Sequence, residues 1–327
     1  MWAFIRGGSS KHLATDRAIA GDPRSIEDAD KPAYLEAMTN FLKPVKTFWR
    51  KLPFSGDEKP LVTVIELNGV IGDVGGPGRK GLSLARVESA IEAAFKPDGL
   101  TAVALAINSP GGSPVQSRLI HNAIRRQAAK KKDVPVLAFV EDVGASGGYI
   151  LSIAADEIYA DESSIIGSIG VIAASFGFQD AIAKLGVERR VHTAGESKSQ
   201  LDPFKPENQA DVDRLETILT DIHQQFIALV KERRGEKVKG DDNTFSGEFW
   251  TAEPAMELGL IDGIAHLGDF LPTRFGENVK VKRISPDKGS LLKRLLGGEA
   301  HGRRSLVEAD DVLDVMRTRS YWARYGL

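Results

Sequence analysis

The stretch TAVALAINSPGGS, residues 101–113, decides the fold class of this chain. Its first seven residues form an uninterrupted apolar run, which is typical of a parallel strand that helices cover on both faces. A glycine-rich turn follows at once, and residues 115–131 then show the apolar spacing of a helix. A buried strand, a glycine turn and a helix in this order predict an α/β fold with a mostly parallel sheet.

The same alternation of strand and helix extends to both sides of this stretch. Apolar or alternating segments predict further strands at residues 61–67, 135–140, 157–160, 169–173 and 188–193. Helical spacing predicts flanking helices at residues 82–95 and 178–185, a helix that ends near residue 155, and a long helix at residues 209–234. The repeated pattern places most of the chain in or against one sheet.

Three regions are expected along the chain. Residues 1–57 form an N-terminal arm with an amphipathic segment, residues 58–275 form the main domain, and residues 276–327 form a C-terminal extension. Within the first region, residues 33–54 place apolar and aromatic side chains on one helical face and basic ones on the other. Such a helix either packs against its own domain or a sister subunit, or makes peripheral contact with a membrane surface.

The composition excludes several classes of function. The 327 residues carry 43 Lys and Arg against 45 Asp and Glu, a net charge of −2, so the basic surface that bulk nucleic-acid binding needs is not expected. The chain has no cysteine, which excludes disulfides, a thiolate nucleophile and a cysteine-ligated zinc. It contains no nucleotide-binding or zinc-peptidase motif, so no metal and no cofactor are expected.

The protein is expected in the cytoplasm, with peripheral contact to the inner membrane through residues 33–54. The longest uncharged stretches, residues 143–155 and 163–179, are shorter than the roughly 20 apolar residues that cross a bilayer and are interrupted by Gly and Ser. The first residues include Arg6 and lack the apolar region of a secretory signal.

Two loops carry residues that suit chemistry. Residues 108–113 and 144–148 leave the ends of consecutive predicted strands, where ligands of open α/β sheets bind, so we expect the loops to face each other. Ser146 lies among small residues at a helix start and is the candidate nucleophile, with the glycine amides of the first loop near a developing oxyanion. The alternative for Ser146 is an ordinary helix N-cap beside a turn.

A serine nucleophile needs a base, and the residue pattern leaves two candidates open. Of the six histidines, His192 is the one placed near the sheet edge. Lys198, just past the last predicted strand of the main domain, is the other candidate. A lysine ordinarily has a pKa of about 10.4 and must be desolvated before it accepts a proton at neutral pH. Spacing alone does not separate a lysine base from a solvated surface charge.

An ordered set of motifs gives this chain a resemblance to a known family. The motifs are NSPGGS at 108–113, ASGGY at 145–149, IGSIGV at 166–171, SK at 197–198 followed by PF at 203–204, and ELGLIDG at 257–263. In order and spacing they resemble the signal peptide peptidase SppA family over about residues 61–270. The resemblance implies the crotonase-like fold that this family shares with the Clp protease.

The resemblance also implies a serine endopeptidase with a Ser–Lys dyad. Ser146 corresponds to the nucleophile, Lys198 to the general base and acid, and Ser168 to the hydroxyl that orients the lysine ammonium. The implied oxyanion donors are the amides of Gly111 or Gly112 together with that of Gly147. Family members assemble into rings or domes, so the resemblance implies a homo-oligomer with substrate grooves completed by neighbours. The implied substrates are signal-peptide remnants or other apolar, membrane-derived peptides.

Two other functions stay open from the residues themselves. Residues 144–148 also fit the G-x-S-x-G turn of α/β-hydrolases, in which case an esterase triad would join Asp180 and His266 to Ser146. A non-catalytic oligomeric scaffold of the same fold is the second. Independently, the apolar C-terminal residues 321–327 are expected to dock into a substrate groove or a neighbouring subunit.

Overall fold

A computed structural model of the chain describes residues 59–72, 81–195, 197–240, 242–286 and 320–325. The strands within them are β1 (Leu61–Asn68), β2 (Leu100–Ser109), β3 (Val136–Ala145), β4 (Glu157–Ala160), β5 (Ile165–Gly167), β6 (Phe249–Trp250), β7 (Gly263–Ile264) and β8 (Lys280–Ile284). The α-helices are α1 (Leu84–Phe95), α2 (Pro114–Ala128), α3 (Gly147–Ser152), α4 (Gln179–Lys184), α5 (Gln209–Arg234), α6 (Ala252–Glu257) and α7 (Leu267–Phe275).

The eight strands form one sheet in the order β6-β5-β3-β2-β1-β8, with β4 paired to β3 and β7 paired to β4. Every pairing is parallel except that of β5 with β6. Strands β2 and β3 are neighbours, and Ser109 at the end of β2 is in register with Gly144 of β3. The two glycine-rich loops therefore leave adjacent strands at the same edge of the sheet.

Alternate residues of the central strands face opposite sides of the sheet. On β1, Ile65 and Leu67 join the larger core, which contains buried residues of α1, α2, α3 and α5. Val62 and Val64 of the same strand face the smaller core, which α7 covers. Because both faces are buried, the central strands are apolar without interruption, as the run at residues 101–107 predicts.

An aromatic cluster closes the smaller core. The rings of Phe139 and Tyr159 stack with centroids 5.5 Å apart, and Phe270 of α7 lies 4.3 Å from Tyr159. Arg274 of the same helix pairs with Glu157 of β4 at 2.5 Å. These contacts attach α7 to β3 and β4. The strand that carries the Ser146 loop, β3, is therefore packed on both faces of the sheet.

The predicted α/β class, the mostly parallel sheet and the long helix at residues 209–234 are confirmed. The strand predicted at residues 169–173 is wrong, because β5 ends at Gly167 and the positive φ of Ser168, 51°, turns the chain away from extended geometry. The strand predicted at residues 188–193 is also wrong. Among the described residues no strand pairs with that segment, and extended backbone without a partner leaves its N–H and C=O groups to water.

Residues 171–208 are called the arm from here on and are distinct from the N-terminal arm expected at residues 1–57. Among those that the structure describes, none is buried. Phe176 and Leu185 each have 77% of their surface exposed. Some contacts of the arm are internal, such as that between the rings of Phe178 and Phe204, whose centroids lie 5.7 Å apart. The arm therefore presents apolar side chains that the rest of the same chain leaves uncovered.

Strand β8 pairs in parallel with β1, so the sheet includes part of the segment expected as a C-terminal extension. Further along, residues 320–323 are helical. The amphipathic segment predicted at residues 33–54 lies outside the described residues. In the part of the chain that the structure describes, no helix combines the length and the apolar character that crossing a bilayer requires.

Candidate active site

Ser146 lies at the turn between β3 and α3 in a conformation that L-residues rarely adopt. Its φ is 53° and its ψ is −121°, a geometry that persists when the surrounding structure holds it. The Ser146 N–H donates to the carbonyl of Gly167 at 2.8 Å, and the Ser146 carbonyl accepts the amides of Tyr149 and Ile150. Backbone hydrogen bonds on both sides of the residue therefore maintain the strained turn.

The turn packs so closely against its neighbours that glycine is required beside Ser146. A Cβ atom on Gly147 would overlap the hydroxyl of Ser117. On the facing loop, a Cβ atom on Gly111 would lie 2.8 Å from the Gly147 amide nitrogen and 2.9 Å from the Ser146 Cβ. The two glycine loops therefore meet, which confirms the prediction made from their positions at the ends of β2 and β3.

Tyr149 anchors the short helix α3 that begins after Ser146. Its side chain is fully buried, and its hydroxyl donates to the carbonyl of Leu260 at 2.8 Å. Burial raises the pKa of Tyr149 far above the ordinary value, so the hydroxyl keeps its proton and remains a donor. This bond ties the helix to the segment that follows α6.

Ser146 lines a cleft of about 1080 Å³. Ser168, Gly112 and Gly147 line the same cleft. The structure thus brings together four of the residues that sequence reasoning proposed, from three separate loops of the chain.

The amides of the first loop differ in what they contact. The Gly111 N–H donates to Ser109 Oγ at 3.3 Å, whereas Gly112 lines the cleft. Gly147 is the first residue of α3, a position whose N–H has no acceptor within the helix. Gly112 and Gly147 are therefore better placed than Gly111 to donate to an oxyanion beside Ser146.

Ser168 is the second serine of the cleft with a positive φ, and 3% of its surface is exposed. Its N–H donates to the carbonyl of Glu248 at 2.6 Å, and its carbonyl accepts the amide of Gly170 at 2.9 Å. The preceding residue, Gly167, accepts the Ser146 amide. The Ser168 loop is consequently bonded both to the Ser146 turn and to the residue before β6.

Lys198 does not line this cleft in a single copy of the chain. It is exposed on the arm, where its amide donates to the carbonyl of Gly195 at 3.3 Å. His192, the other candidate base, is also exposed on the arm and does not line the cleft. One copy of the chain therefore brings neither candidate base into the cleft of Ser146.

The residues of the alternative esterase triad are also apart from Ser146. His266, which precedes α7, has its Nε2 3.0 Å from a carboxylate oxygen of Asp161, and 66% of its side chain is exposed. Asp180 is exposed near the start of α4 in the arm. Neither residue lines the cleft, so the structure does not assemble this triad.

The cleft includes His223 of α5, to which sequence reasoning gave no role at the site. The His223 Nε2 lies 2.9 Å from the carbonyl oxygen of Ile169, the residue after Ser168. A signal was available, because His223 follows Ile222 in the apolar stripe with which α5 packs. The stripe shows that the residue is near the body of the protein, and it carries no information about the loop that it meets.

The C-terminal residues 320–325 contribute to the same cleft. Tyr321 and Arg324 line it, and the ring of Tyr325 packs edge-on against Phe249 with centroids 5.1 Å apart. Phe249 is in register with Gly167 across β6 and β5. Within one chain the described C-terminal residues therefore line the same cleft as Ser146.

A strained serine at a strand-to-helix turn, beside backbone amides in a cleft at the carboxyl edge of a parallel sheet, is an arrangement typical of serine hydrolases with an α/β fold. Comparison with known proteins narrows the class. The model of peptidase family S49, a serine peptidase family, matches residues 128–281, slightly less than half of the chain. The matched residues include Ser146, Ser168 and Lys198.

Three relatives illustrate the similarity. The Na(+)/H(+) antiporter NhaA of Brucella melitensis is 48% identical over 273 residues, which cover 81% of this chain and 37% of that protein. The chloroplastic serine protease SPPA of Arabidopsis thaliana is 30% identical over 213 residues, 63% of this chain and 31% of that one. Protease 4 of Haemophilus influenzae is 29% identical, over 64% of this chain and 33% of that one. The chain spans about a third of the length of each.

Two solved structures match this chain at low identity and low structural similarity. A mutant of the 1510-N membrane-bound stomatin-specific protease is 15% identical with a TM-score of 0.45, and the match covers 70% of this chain and 100% of that one. A ClpP1 mutant of Listeria monocytogenes is 14% identical with a TM-score of 0.39, over 64% of this chain and 94% of that one. Similarity at this level assigns no role to any residue of this chain.

Proposed function

We propose that this protein is a serine endopeptidase in which Ser146 attacks the peptide carbonyl and Lys198 carries the proton. The observation that carries the proposal is the strained Ser146 turn in a cleft that Gly112 and Gly147 also line. A backbone held at such a φ costs on the order of 1–3 kcal/mol, and strain of this size concentrates at functional sites.

The proposed reaction follows from the chemistry of these groups. As the Ser146 oxygen bonds to the carbonyl carbon, its proton passes to the neutral amine of Lys198, and the carbonyl oxygen becomes an anion that the Gly112 and Gly147 amides stabilise. The lysine ammonium then protonates the leaving amine, and water releases the acyl group by the same route. The Ser168 hydroxyl accepts a hydrogen bond from the ammonium and orients it.

We propose further that Lys198 serves the Ser146 of a neighbouring copy. Lys198 lies on the arm, whose apolar side chains, among them Phe176 and Leu185, are uncovered in one copy. A second copy packed against the arm would bury these side chains. The same contact would remove water from the lysine, and desolvation favours the neutral amine that a base requires. A homo-oligomer therefore covers the apolar side chains of the arm and completes the dyad.

Mixing inactive variants tests this arrangement. Ser146→Ala and Lys198→Ala are each expected to lose nearly all peptidase activity. Co-expression of the two should recover up to about a quarter of the sites, because random assembly places an intact Ser146 beside an intact Lys198 of the neighbour in that share of the contacts. The double variant, co-expressed with either single variant, is the control and should recover nothing.

Two outcomes would contradict the proposal. Full peptidase activity in Ser146→Ala would exclude Ser146 as the nucleophile. Two inactive single variants that recover no activity when they assemble together would place the dyad within one chain. Labelling of Ser146 by a fluorophosphonate, and loss of the label in Lys198→Ala, measures the same chemistry without a peptide substrate.

The proposed substrates are apolar peptides, such as signal-peptide remnants and other membrane-derived segments. Apolar side chains line much of the cleft, including Ile71, Val115, Leu119, Ile150, Phe226 and Leu229. Val115 has 65% of its surface exposed there, and an apolar substrate would cover it. Paired peptides that differ by Leu or Asp next to the cleaved bond test this. Equal cleavage of both would contradict an apolar preference.

We also propose that the protein works in the cytoplasm and contacts the inner membrane peripherally through residues 33–54. The support is the sequence pattern alone, with aromatic and apolar side chains on one helical face and basic ones on the other. Sedimentation with anionic vesicles should require these residues. Equal binding by a chain that starts at Lys59 would contradict the membrane contact.

A further inference from the structure

We propose that His223 is a positioning residue, whose imidazole holds the loop that carries Ser168 in its strained geometry. The inference rests on the proposed function, in which Ser168 orients the catalytic ammonium. It assigns a role to a side chain that lines the cleft and that the dyad mechanism does not use.

The geometry sets the direction of the hydrogen bond. The His223 Nε2 lies 2.9 Å from the carbonyl oxygen of Ile169, and a carbonyl oxygen accepts but never donates. The proton of this bond is therefore on Nε2, which makes Nε2 a donor committed to the loop. Ile169 is fully buried and Ser168 is 3% exposed, so solvent is a poor substitute for this donor.

The other sides of the loop are held by backbone groups. The Ser168 amide donates to Glu248, and the Gly167 carbonyl accepts the amide of Ser146. Gly170 packs so closely that a Cβ atom on it would lie 2.9 Å from the Cα of Gly247. A residue at positive φ keeps its conformation when its surroundings over-determine it, and His223 is the side chain that α5 adds to these constraints.

The position of His223 along α5 also matters. Phe226, Leu229 and Val230 are buried in the larger core, whereas residues 209–222 of the same helix are not buried. His223 therefore lies where the helix leaves the core. Its bond to Ile169 attaches the Ser168 loop to the part of the helix where packing against the core begins.

Three variants of α5 test the proposal. His223→Gln keeps an N–H donor of similar reach but is not a base, His223→Leu removes the donor, and Gln224→Leu changes an exposed neighbour that does not line the cleft. We expect His223→Leu to lower kcat by about tenfold or more with a smaller change in KM, because the loss falls on the transition state. His223→Gln should recover most of the loss, and Gln224→Leu should match the parent.

The outcomes separate positioning from other roles. Equal kcat in His223→Leu and the parent would overturn the proposal. Equal loss in His223→Gln and His223→Leu would also overturn it, because a residue that acts as the base is not rescued by an amide. A drop in thermal stability without a change in kcat would show a purely structural contact and would overturn it as well.

A second measurement does not depend on the proposed peptidase activity. In the Ser146→Ala protein, nitrogen NMR of the histidine rings should show the His223 Nε2 protonated, hydrogen-bonded and slow to exchange at neutral pH. A ring with its proton on Nδ1 would overturn the inference whether or not the protein is a peptidase. Activity that persists in Ser146→Ala would instead remove the proposed function and leave this contact as it is.

Discussion

At the residue scale, backbone strain marks the site more clearly than residue type does. Among the described residues, the non-glycine positions with positive φ are Ser146, Ser168 and Leu201. The first two line the cleft, and the third follows Lys198 by three positions. Positive φ is costly for residues with a Cβ. Its occurrence at Ser146 and Ser168, and three positions after Lys198, is consistent with a site that the fold holds under strain.

Gly147→Ala is expected to reduce both activity and stability. The added Cβ overlaps the hydroxyl of Ser117, so the Ser146 turn or the facing Ser117 must shift. We expect a loss of about 1–3 kcal/mol in the free energy of unfolding and of about 100-fold in kcat. Gly177→Ala is the matched control, because nothing lies within 4 Å of a Cβ there. Equal kcat in both variants would contradict the packing argument.

His121 is expected to make stability depend on pH. Burial lowers its pKa to about 4, against 6.5 ordinarily, and nearby guanidinium groups act in the same direction while Asn122 opposes them. The unfolded chain takes up the proton first, so stability should fall as pH drops from about 6.5 to 4, by about 3 kcal/mol in total. Urea unfolding across this range measures it. His121→Gln should flatten the slope, and His192→Gln, at an exposed position, should not.

At the element scale, α5 combines a buried end and an exposed end. Its last turns pack in the larger core, and Arg234 at its C-terminus is 5% exposed. Arg234 donates to both carboxylate oxygens of Asp262, at 2.7 and 3.2 Å, and to the carbonyl of Gly259 at 2.9 Å. The same Asp262 accepts the amide of Ile158 in β4. This pair therefore fixes the end of α5 to the sheet.

Asp262→Asn is expected to destabilise the fold by about 3–5 kcal/mol, because it leaves the buried Arg234 charge unpaired. Burial alone would raise the pKa of Asp262, but Arg234, Lys237 and the Ile158 amide together hold it below its ordinary value. The carboxylate therefore contributes stability above the ordinary aspartate pKa of about 3.9, and this is lost as pH falls through the lower folded value.

Chemical unfolding at neutral and acid pH checks this prediction. The difference between the parent and Asp262→Asn should shrink at acid pH, where the parent carboxylate is protonated too. Glu188→Gln is the control, because its ion pair with Arg190 is exposed on both sides and should contribute nothing measurable. A constant difference across the pH range would contradict the assignment of the stability to this ion pair.

At the scale of the whole molecule, one cleft is shared by several distant parts of the chain. Loops after β2, β3 and β5, the middle of α5 and the C-terminal residues 320–325 all line it. The arm contributes no lining residue beyond its first positions, Val171 and Ile172. Residues 320–325 thus line part of the cleft, and the described residues of the arm bring no candidate base into it.

Removal of residues 320–327 is expected to open the cleft. Tyr321 and Arg324 then no longer line it, and the contact of Tyr325 with Phe249 is lost. We expect the fluorophosphonate to label Ser146 several-fold faster, with a lower KM for peptides, because substrate no longer competes with the segment. Tyr325→Ala should act in the same direction, and Tyr325→Phe, which keeps the ring, should resemble the parent. Slower labelling after truncation would contradict this role.

Much of the fold and of the site was predictable because it depends on local chemistry. The apolar run at residues 101–107 is typical of a strand buried on both faces, and the long helix follows from its regular apolar stripe. The glycines at 111 and 147 indicated where two backbones approach each other. The errors at residues 169–173 and 188–193 occurred where the described residues offer no partner strand, and the residues of a segment do not specify whether a partner lies beside it.

The sequence by itself determined the alternation of strand and helix, the glycine turns and the position of the candidate nucleophile, because each depends on residues close together in the chain. The tertiary structure alone decided that His223 meets the Ser168 loop, that residues 320–325 line the cleft, and that Lys198 stays outside it in one copy. Those relations join segments far apart in sequence. They are set by how the elements pack, and local patterning carries no information about that packing.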